Sequence, residues 1–194
     1  MTQFMGVNPW LAMWSQPRTT IRAIVSSRPS YGRFWLPTIY ALQALFFLAN
    51  WHSLGLRLSF EAIVLSTFLI APILGQVWLY IFGAGFYLSG KLLGGKAPFP
   101  HVCSALAWSH IPSSITLALW AVLLFNQTDT TFVLTIGQAE TLFISFISFV
   151  VVVWVTVLII RAFAEIQGFS ILKASVNVFI VTFVYLLISF IFAK

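Results

Sequence analysis

The chain has 194 residues, of which 60% are hydrophobic and only 7% are charged. An ordinary soluble domain carries roughly 25% charged residues, so this composition excludes a water-soluble surface and predicts a protein embedded in a bilayer. The net charge of +6 comes from 10 basic and 4 acidic residues, and because the basic ones are spread among the loops, they indicate membrane orientation and not nucleic-acid binding.

Residues 1–33 are predicted to form a cytoplasmic amphipathic segment that precedes the first span. Asn8 and Pro9 suit the cap and the first position of a helix. Apolar and basic side chains then fall on different faces, as in a helix that lies at headgroup level. The residues predicted to contact the interface are Trp10, Trp14, Arg18 and Arg22. Packing of this segment on the rest of the protein is an alternative that the sequence leaves open.

Five later segments are apolar enough to cross a bilayer core of about 30 Å, which takes about 20 helical residues. They lie at about 34–51, 62–89, 102–125, 141–160 and 174–193, and none contains Lys, Arg, Asp or Glu. The sequence therefore predicts an all-α polytopic bundle in which residues 34–194 form a transmembrane domain of five helices.

The basic residues predict the orientation of these spans. Most of them lie before the first span, after the second, or between the fourth and the fifth: Arg18, Arg22, Arg28, Arg33, Lys91, Lys96, Arg161 and Lys173. The other side holds only Arg57 and Lys194. Because cytoplasmic loops carry the excess of Lys and Arg, the N-terminus is predicted to be cytoplasmic and the C-terminus extracytoplasmic.

The loop after the second span, residues 90–97, has the spacing of a phosphate-binding loop up to its last position. Ala97 stands where such a loop needs a Ser or Thr hydroxyl for magnesium, so nucleotide binding is not predicted. The glycines favour a tight cytoplasmic turn, and Lys91 and Lys96 are predicted to meet anionic headgroups.

The third span carries the most polar intramembrane sequence, residues 108–114. Its polar side chains and those of two other spans form a candidate intramembrane site: His110, Ser113, Ser114, Gln76 and Asn177. Polar groups at membrane depth are costly to leave unpaired, so they indicate either hydrogen bonding between helices or a substrate or proton pathway. We favour packing, and a polar cavity joining His110, Gln76 and Asn177 would favour a pathway.

The sequence gives no sign of catalytic or metal chemistry. His52, His101 and His110 fall at different levels and on both sides of the predicted membrane, so they do not predict a metal site. No paired carboxylates or nucleophile motif is present, and we therefore predict neither an enzyme nor a cofactor. Arg161 and Glu165 are four residues apart, the spacing of an ordinary local ion pair on a helix.

Short motifs add to the pattern of spans. They are Asn8-Pro9-Trp10, Pro17-Arg18 and Ile21 near the N-terminus, Gly94-Gly95-Lys96 after the second span, and Ala107-Trp108 with Pro112 in the third. With the spans, they resemble the YIP family, and specifically its short bacterial members, over nearly the whole chain. The resemblance implies a domain of five spans with its termini on opposite sides, here in the cell inner membrane.

Eukaryotic members of that family are implicated in Rab-GTPase binding and vesicle trafficking. Residues 31–35 are similar to their acidic-Leu-Tyr-Gly-Pro-Phe-Trp element, but Pro29 occupies the acidic position and Arg33 that of the proline. This departure argues against Rab-type GTPase binding. We expect a non-enzymatic protein that organises the bilayer or its partners, which would be a second copy or other membrane proteins. The alternative is a small transporter, channel or lipid-translocating protein with a pathway near His110.

Overall fold

The computed structural model describes residues 8–126, 131–134 and 139–192, and in these ranges it contains helices and no strands. The prediction of an all-α fold is confirmed. The helices are α1 Pro9–Ser15, α2 Pro17–Ser27, α3 Trp35–Trp51, α4 Phe60–Leu92, α5 Phe99–Ser109, α6 Ser113–Asn126, α7 Ala139–Gln167 and α8 Ile171–Phe192, with a 3-10 turn at Leu54–Leu56 between α3 and α4.

Local sequence explains where several of these helices begin. The Asn8 side chain accepts a hydrogen bond from the backbone N–H of Trp10 at 3.0 Å, and Pro9 occupies the first helical position of α1. Ser59 caps α4 in the same way by accepting from the backbone N–H of Ala62 at 3.3 Å. Each cap satisfies one of the backbone donors that a helix start leaves without an internal partner.

The helices provide three or four candidate spans, where the sequence predicts five. Helices α4, α7 and α8 are each long and apolar enough to cross a membrane, and α5 with α6 forms a pair bent by 46° that would count as a fourth span. Helix α3, the first predicted span, has only 17 residues. At 1.5 Å per residue it falls short of a bilayer core of about 30 Å.

Helices α3 and α8 pack against different halves of α4. In the first half, Gly75 lies so close to α3 that a Cβ there would be 2.5 Å from the carbonyl oxygen of Pro37. In the second half, the ring of Phe82 lies 5.3 Å from that of Tyr185 in α8. Helix α4, which has 33 residues, is therefore the element that contacts both α3 and α8.

The two N-terminal helices pack on the bundle. Met13, Ile21 and Ile24 are fully buried and belong to the same apolar core as residues of α4, α5 and α7. Helix α2 contacts both α5 and α7. The apolar face of α2 is thus covered by protein, which is the alternative that the sequence left open for this segment.

Candidate functional site

A cavity of about 390 Å³ lies between α3, α4, α5, α7 and α8. Its walls are mainly apolar, and the described residues that line it include no Lys, Arg, Asp or Glu. The polar and indole side chains that line it are Tyr40, Trp78, His110, Thr156, Thr182 and Tyr185. This size and this mostly apolar lining with a few polar groups are typical of sites for small molecules.

His110 lies at the bend between α5 and α6 and lines this cavity. Its Nδ1 is 2.8 Å from the carbonyl oxygen of Leu106. In the neutral imidazole Nδ1 then carries the proton and donates it to this carbonyl, which leaves Nε2 as an acceptor. The ring of Tyr40 stands edge-on to His110 with 4.5 Å between centroids. His110 and Tyr40 therefore form a polar corner in an otherwise apolar cavity.

The other predicted intramembrane polar residues do not join His110 in the cavity. Gln76 Nε2 donates to the carbonyl oxygens of Arg33 and Phe34, at 3.3 and 3.2 Å. Asn177 is buried and accepts a hydrogen bond from the Ser89 hydroxyl at 2.7 Å. Neither Gln76 nor Asn177 lines the cavity. Gln76 thus links α4 to the start of α3, and Asn177 links α8 to the end of α4.

The serines of the third predicted span serve the bend itself. Helix α5 ends at Ser109 and α6 begins at Ser113, so the break between them consists of residues 110–112 and includes Pro112. Proline has no backbone N–H and disfavours the helical conformation for the residue before it. The Ser114 hydroxyl donates to the carbonyl oxygen of Ile111 at 2.8 Å, and Ser113 is buried.

The loop after α4 is closed by a buried glutamine. Gln167, at the end of α7, accepts a hydrogen bond from the backbone N–H of Ala97 at 3.0 Å. A Cβ on Gly95 would overlap the Gln167 side chain and lie 2.9 Å from the carbonyl oxygen of Gly90, so the absence of a side chain at Gly95 permits this close approach. Lys91 and Lys96 remain exposed beside this turn, and the Lys91 ammonium lies 5.4 Å from the centroid of the Tyr87 ring.

The basic residues of α2 meet the end of α7. Arg22 Nε donates to the Glu165 carboxylate at 2.6 Å, and Arg18 Nε lies 3.4 Å from its other oxygen. The ion pairing of Glu165 with Arg161, predicted from their spacing, is wrong, because α2 crosses α7 and supplies both cations that hold this carboxylate. Such a contact between distant segments has no signature in helical spacing.

The predicted interface tryptophans contact protein. Trp10 is 37% exposed, and its ring stands 5.4 Å from that of the buried Trp108. Trp14 packs partly buried against the core and donates from its indole N–H to the Trp10 carbonyl oxygen at 2.9 Å. Trp108 also stacks on Tyr31 at 5.7 Å and donates to its carbonyl oxygen at 3.0 Å. Trp108 thus anchors the N-terminal segment to α5.

Sequence reasoning missed Tyr40, Thr182 and Tyr185 as lining residues. Each lies singly within an apolar span, where a Tyr or Thr is common, so no local signal marks it. Only the packing of α3, α5 and α8 around α4 brings the three to the cavity that His110 also lines.

These features define a helical membrane protein with several apolar helices and a cap formed by its N-terminal segment. The family model described as the Yip1 domain matches residues 11–193. The chain therefore belongs to the Yip1 domain family, as its resemblance to the YIP family predicted. Neither the curated proteins nor the solved structures include a significant match to it.

Proposed function

We propose that this protein is a non-enzymatic Yip1-family member that organises the bilayer or its membrane partners in the cell inner membrane. In this proposal the chain crosses the membrane five times, with a cytoplasmic N-terminus and an extracytoplasmic C-terminus. The observation that carries the proposal is the collection of basic side chains at one end of the bundle. That end combines α2 with the last turns of α4 and α7 and the first turns of α8.

Three contacts bring this basic end together. Arg22 of α2 donates a hydrogen bond to Glu165, and Gln167 accepts one from the backbone N–H of Ala97. The Lys173 ammonium lies close to Gly94, 3.9 Å from the position that a Cβ would take there. The exposed cations of this end include Arg18, Arg22, Lys91, Lys96, Arg161 and Lys173. Each Lys or Arg near an anionic membrane surface contributes about 1 kcal/mol of attraction. The basic end is therefore suited to gather anionic headgroups.

The second half of α8 supplies a surface for contacts within the membrane. Residues 183–191 are exposed throughout, although most of their side chains are large and apolar. A helix that is exposed on every side has lipid or another protein as its neighbour. This surface supports the part of the proposal that concerns membrane partners, including a second copy of the chain.

A transporter, channel or lipid-translocating protein is the second candidate, and the cavity at His110 favours it. A pathway needs polar groups in sequence across the membrane, whereas Gln76 and Asn177 lie outside the cavity and bind elsewhere. The cavity supports this candidate, whereas the hydrogen bonds of Gln76 and Asn177 support packing.

Replacing Lys91, Lys96 and Lys173 by Gln should weaken the effect of the protein on anionic vesicles. The protein is reconstituted in phosphatidylcholine vesicles with and without phosphatidylglycerol, and vesicle shape is measured by cryo-electron microscopy. We expect deformation that depends on phosphatidylglycerol and is lost in the triple variant, because about 3 kcal/mol of headgroup attraction is removed. Arg57→Gln, in the loop that joins α3 and α4, is the control and should behave as the wild type.

The same vesicles decide between the two candidates. Under the proposal, leakage of an entrapped solute and flipping of a labelled lipid stay at the level of protein-free vesicles. A flux that the folded His110→Leu protein loses would contradict the proposal and establish the second candidate. Equal deformation by the wild type and the triple variant would also contradict it.

Reporter fusions test the orientation. A reporter after Lys194 should be active only on the extracytoplasmic side, while reporters near Arg28, Gly95 and Gln167 should be active only in the cytoplasm, because cytoplasmic segments carry the positive charge. A cytoplasmic reading at Lys194 with the other three unchanged would remove one span from the proposed five. Selective labelling of single cysteines at the same sites, in a Cys103→Ala background, is the independent measurement.

A further inference from the structure

We infer that the cavity at His110 binds one uncharged lipid that carries a free hydroxyl group, of the diacylglycerol class. This inference goes beyond the proposed function, since it requires neither deformation of the bilayer nor transport. Three properties of the cavity support it: the absence of charged groups among the described residues that line it, the hydrogen-bonding groups, and the position of the opening.

The first step concerns charge. The cavity lies midway along α4 and α8, and among the described residues its lining contains no Lys, Arg, Asp or Glu that could neutralise an ammonium or a phosphate group, while His110 is taken as the neutral imidazole. An unpaired charge at membrane depth is costly. The occupant is therefore uncharged, which excludes phospholipids with their headgroup in the cavity.

The second step concerns hydrogen bonds. With Nδ1 engaged by Leu106, His110 offers Nε2 as an acceptor. The Tyr40 hydroxyl is a donor on a ring whose centroid lies 4.5 Å from that of His110. Within the described residues, neither of these two atoms has a hydrogen-bond partner in the protein, although both side chains line the cavity. An alcohol matches both kinds of group, because its O–H can donate to an acceptor such as Nε2 and its oxygen can accept from a donor such as the Tyr40 hydroxyl. A ketone or an ester satisfies only Tyr40.

The third step concerns access. Thr182 and Tyr185 of α8 and Val152 of α7 line the cavity and are exposed. The cavity is therefore reached from the side of the bundle that faces lipid, between helices and not through a loop. A lipid entering here places its hydroxyl inside and leaves most of its acyl chains in the bilayer. A volume of about 390 Å³ has room for the glycerol backbone and the first methylenes of the chains.

The test is photolabelling of the full chain in nanodiscs with a photoactivatable diacylglycerol. Unlabelled competitors with the same acyl chains are diacylglycerol, phosphatidic acid and triacylglycerol, which differ in charge and in the free hydroxyl. We expect diacylglycerol to compete at least about ten-fold better than either of the others, a difference of about 1.4 kcal/mol. Equal competition by all three would show annular lipid without recognition and would overturn the inference.

Two variants with matched controls locate the site. Tyr40→Phe keeps the ring and removes the hydroxyl, so labelling should require about three- to ten-fold more probe, as for the loss of one hydrogen bond in a membrane bundle. Tyr80→Phe, an exposed residue of α4 outside the cavity, should have no effect. Unchanged labelling of a folded Tyr40→Phe protein would overturn the hydroxyl recognition.

Thr182→Trp fills the opening from an exposed position, so it leaves the core intact and decides the matter even if Tyr40→Phe fails to fold. We expect it to abolish diacylglycerol labelling, while Phe183→Trp, its exposed neighbour outside the cavity, labels as the wild type. Melting temperatures of both proteins in the same lipid report their folding. Full labelling of a folded Thr182→Trp protein would place the probe outside this cavity and overturn the inference.

Discussion

Gly75→Ala is expected to destabilise the bundle by about 1 to 3 kcal/mol, the usual cost of overpacking a close contact. The new methyl group would lie 2.5 Å from the Pro37 carbonyl oxygen and 2.7 Å from the carbonyl carbon. Backbone atoms of a neighbouring helix cannot rotate away as a side chain can, so α3 must move away from α4. Because α3 also lines the cavity through Tyr40, the displacement should weaken labelling by diacylglycerol as well.

Gly85→Ala provides the matched control on the same helix. A Cβ there would meet Val181 at 3.5 Å, an ordinary van der Waals distance. Both variants gain the same helix propensity, up to about 1 kcal/mol in favour of Ala. The difference between their melting temperatures in mixed micelles therefore measures the contact between α3 and α4. Equal melting temperatures would show that α3 does not pack against α4 at Gly75.

Trp108→Ala is expected to cost about 3 to 5 kcal/mol, the range for truncating a large buried aromatic side chain. The residue is fully buried and joins three features of the N-terminal segment: it stacks on Tyr31, meets the edge of Trp10, and donates its indole N–H to the carbonyl oxygen of Tyr31. Its loss should therefore loosen the N-terminal segment, in which α2 lies between the two residues that Trp108 contacts. Hydrogen exchange of the backbone amides of residues 17–27 is the measurement, beside the melting temperature.

Two further variants define what Trp108 contributes. Trp154→Ala, on α7, removes a side chain that is 45% exposed and should change the stability by less than about 1 kcal/mol. Trp108→Phe keeps an aromatic ring but loses the indole donor and should fall between the wild type and Trp108→Ala. If α2 exchanges at the same rate in Trp108→Ala as in the wild type, the Arg18 and Arg22 contacts with Glu165 hold the segment without it.

Local features of this protein can be predicted from its sequence, whereas contacts between distant residues, such as those of Gly75 and Trp108, cannot. The sequence predicts α4, α7 and α8 as membrane spans because a bilayer requires about 20 apolar residues in succession, whatever helices they pack against. Pro112 marks the bend for a similarly local reason, since it lacks a backbone N–H. The sequence did not reveal the partners of Glu165 and Gln76, because Arg22 lies 143 residues from Glu165 and Arg33 lies 43 residues from Gln76 along the chain.

The predicted intramembrane site illustrates the same limit. His110, Gln76 and Asn177 share polarity and membrane depth, so the sequence groups them as one candidate. The structure separates them, because Gln76 faces the start of α3 while Asn177 faces Ser89 near the end of α4. Tyr40 takes a place beside His110 instead, and its ring stands 4.5 Å away.

The sequence by itself determined that this is a helical membrane protein of the Yip1 family. Composition, apolar stretches and short motifs can be recognised because they do not depend on how the helices pack. Only the tertiary structure decided that the bundle covers α2 and that α3 and α8 pack against different halves of α4. It also decided that Tyr40 and His110 meet at a cavity. These features depend on the directions in which side chains of distant helices point. Packing sets those directions, and no spacing along one helix encodes them.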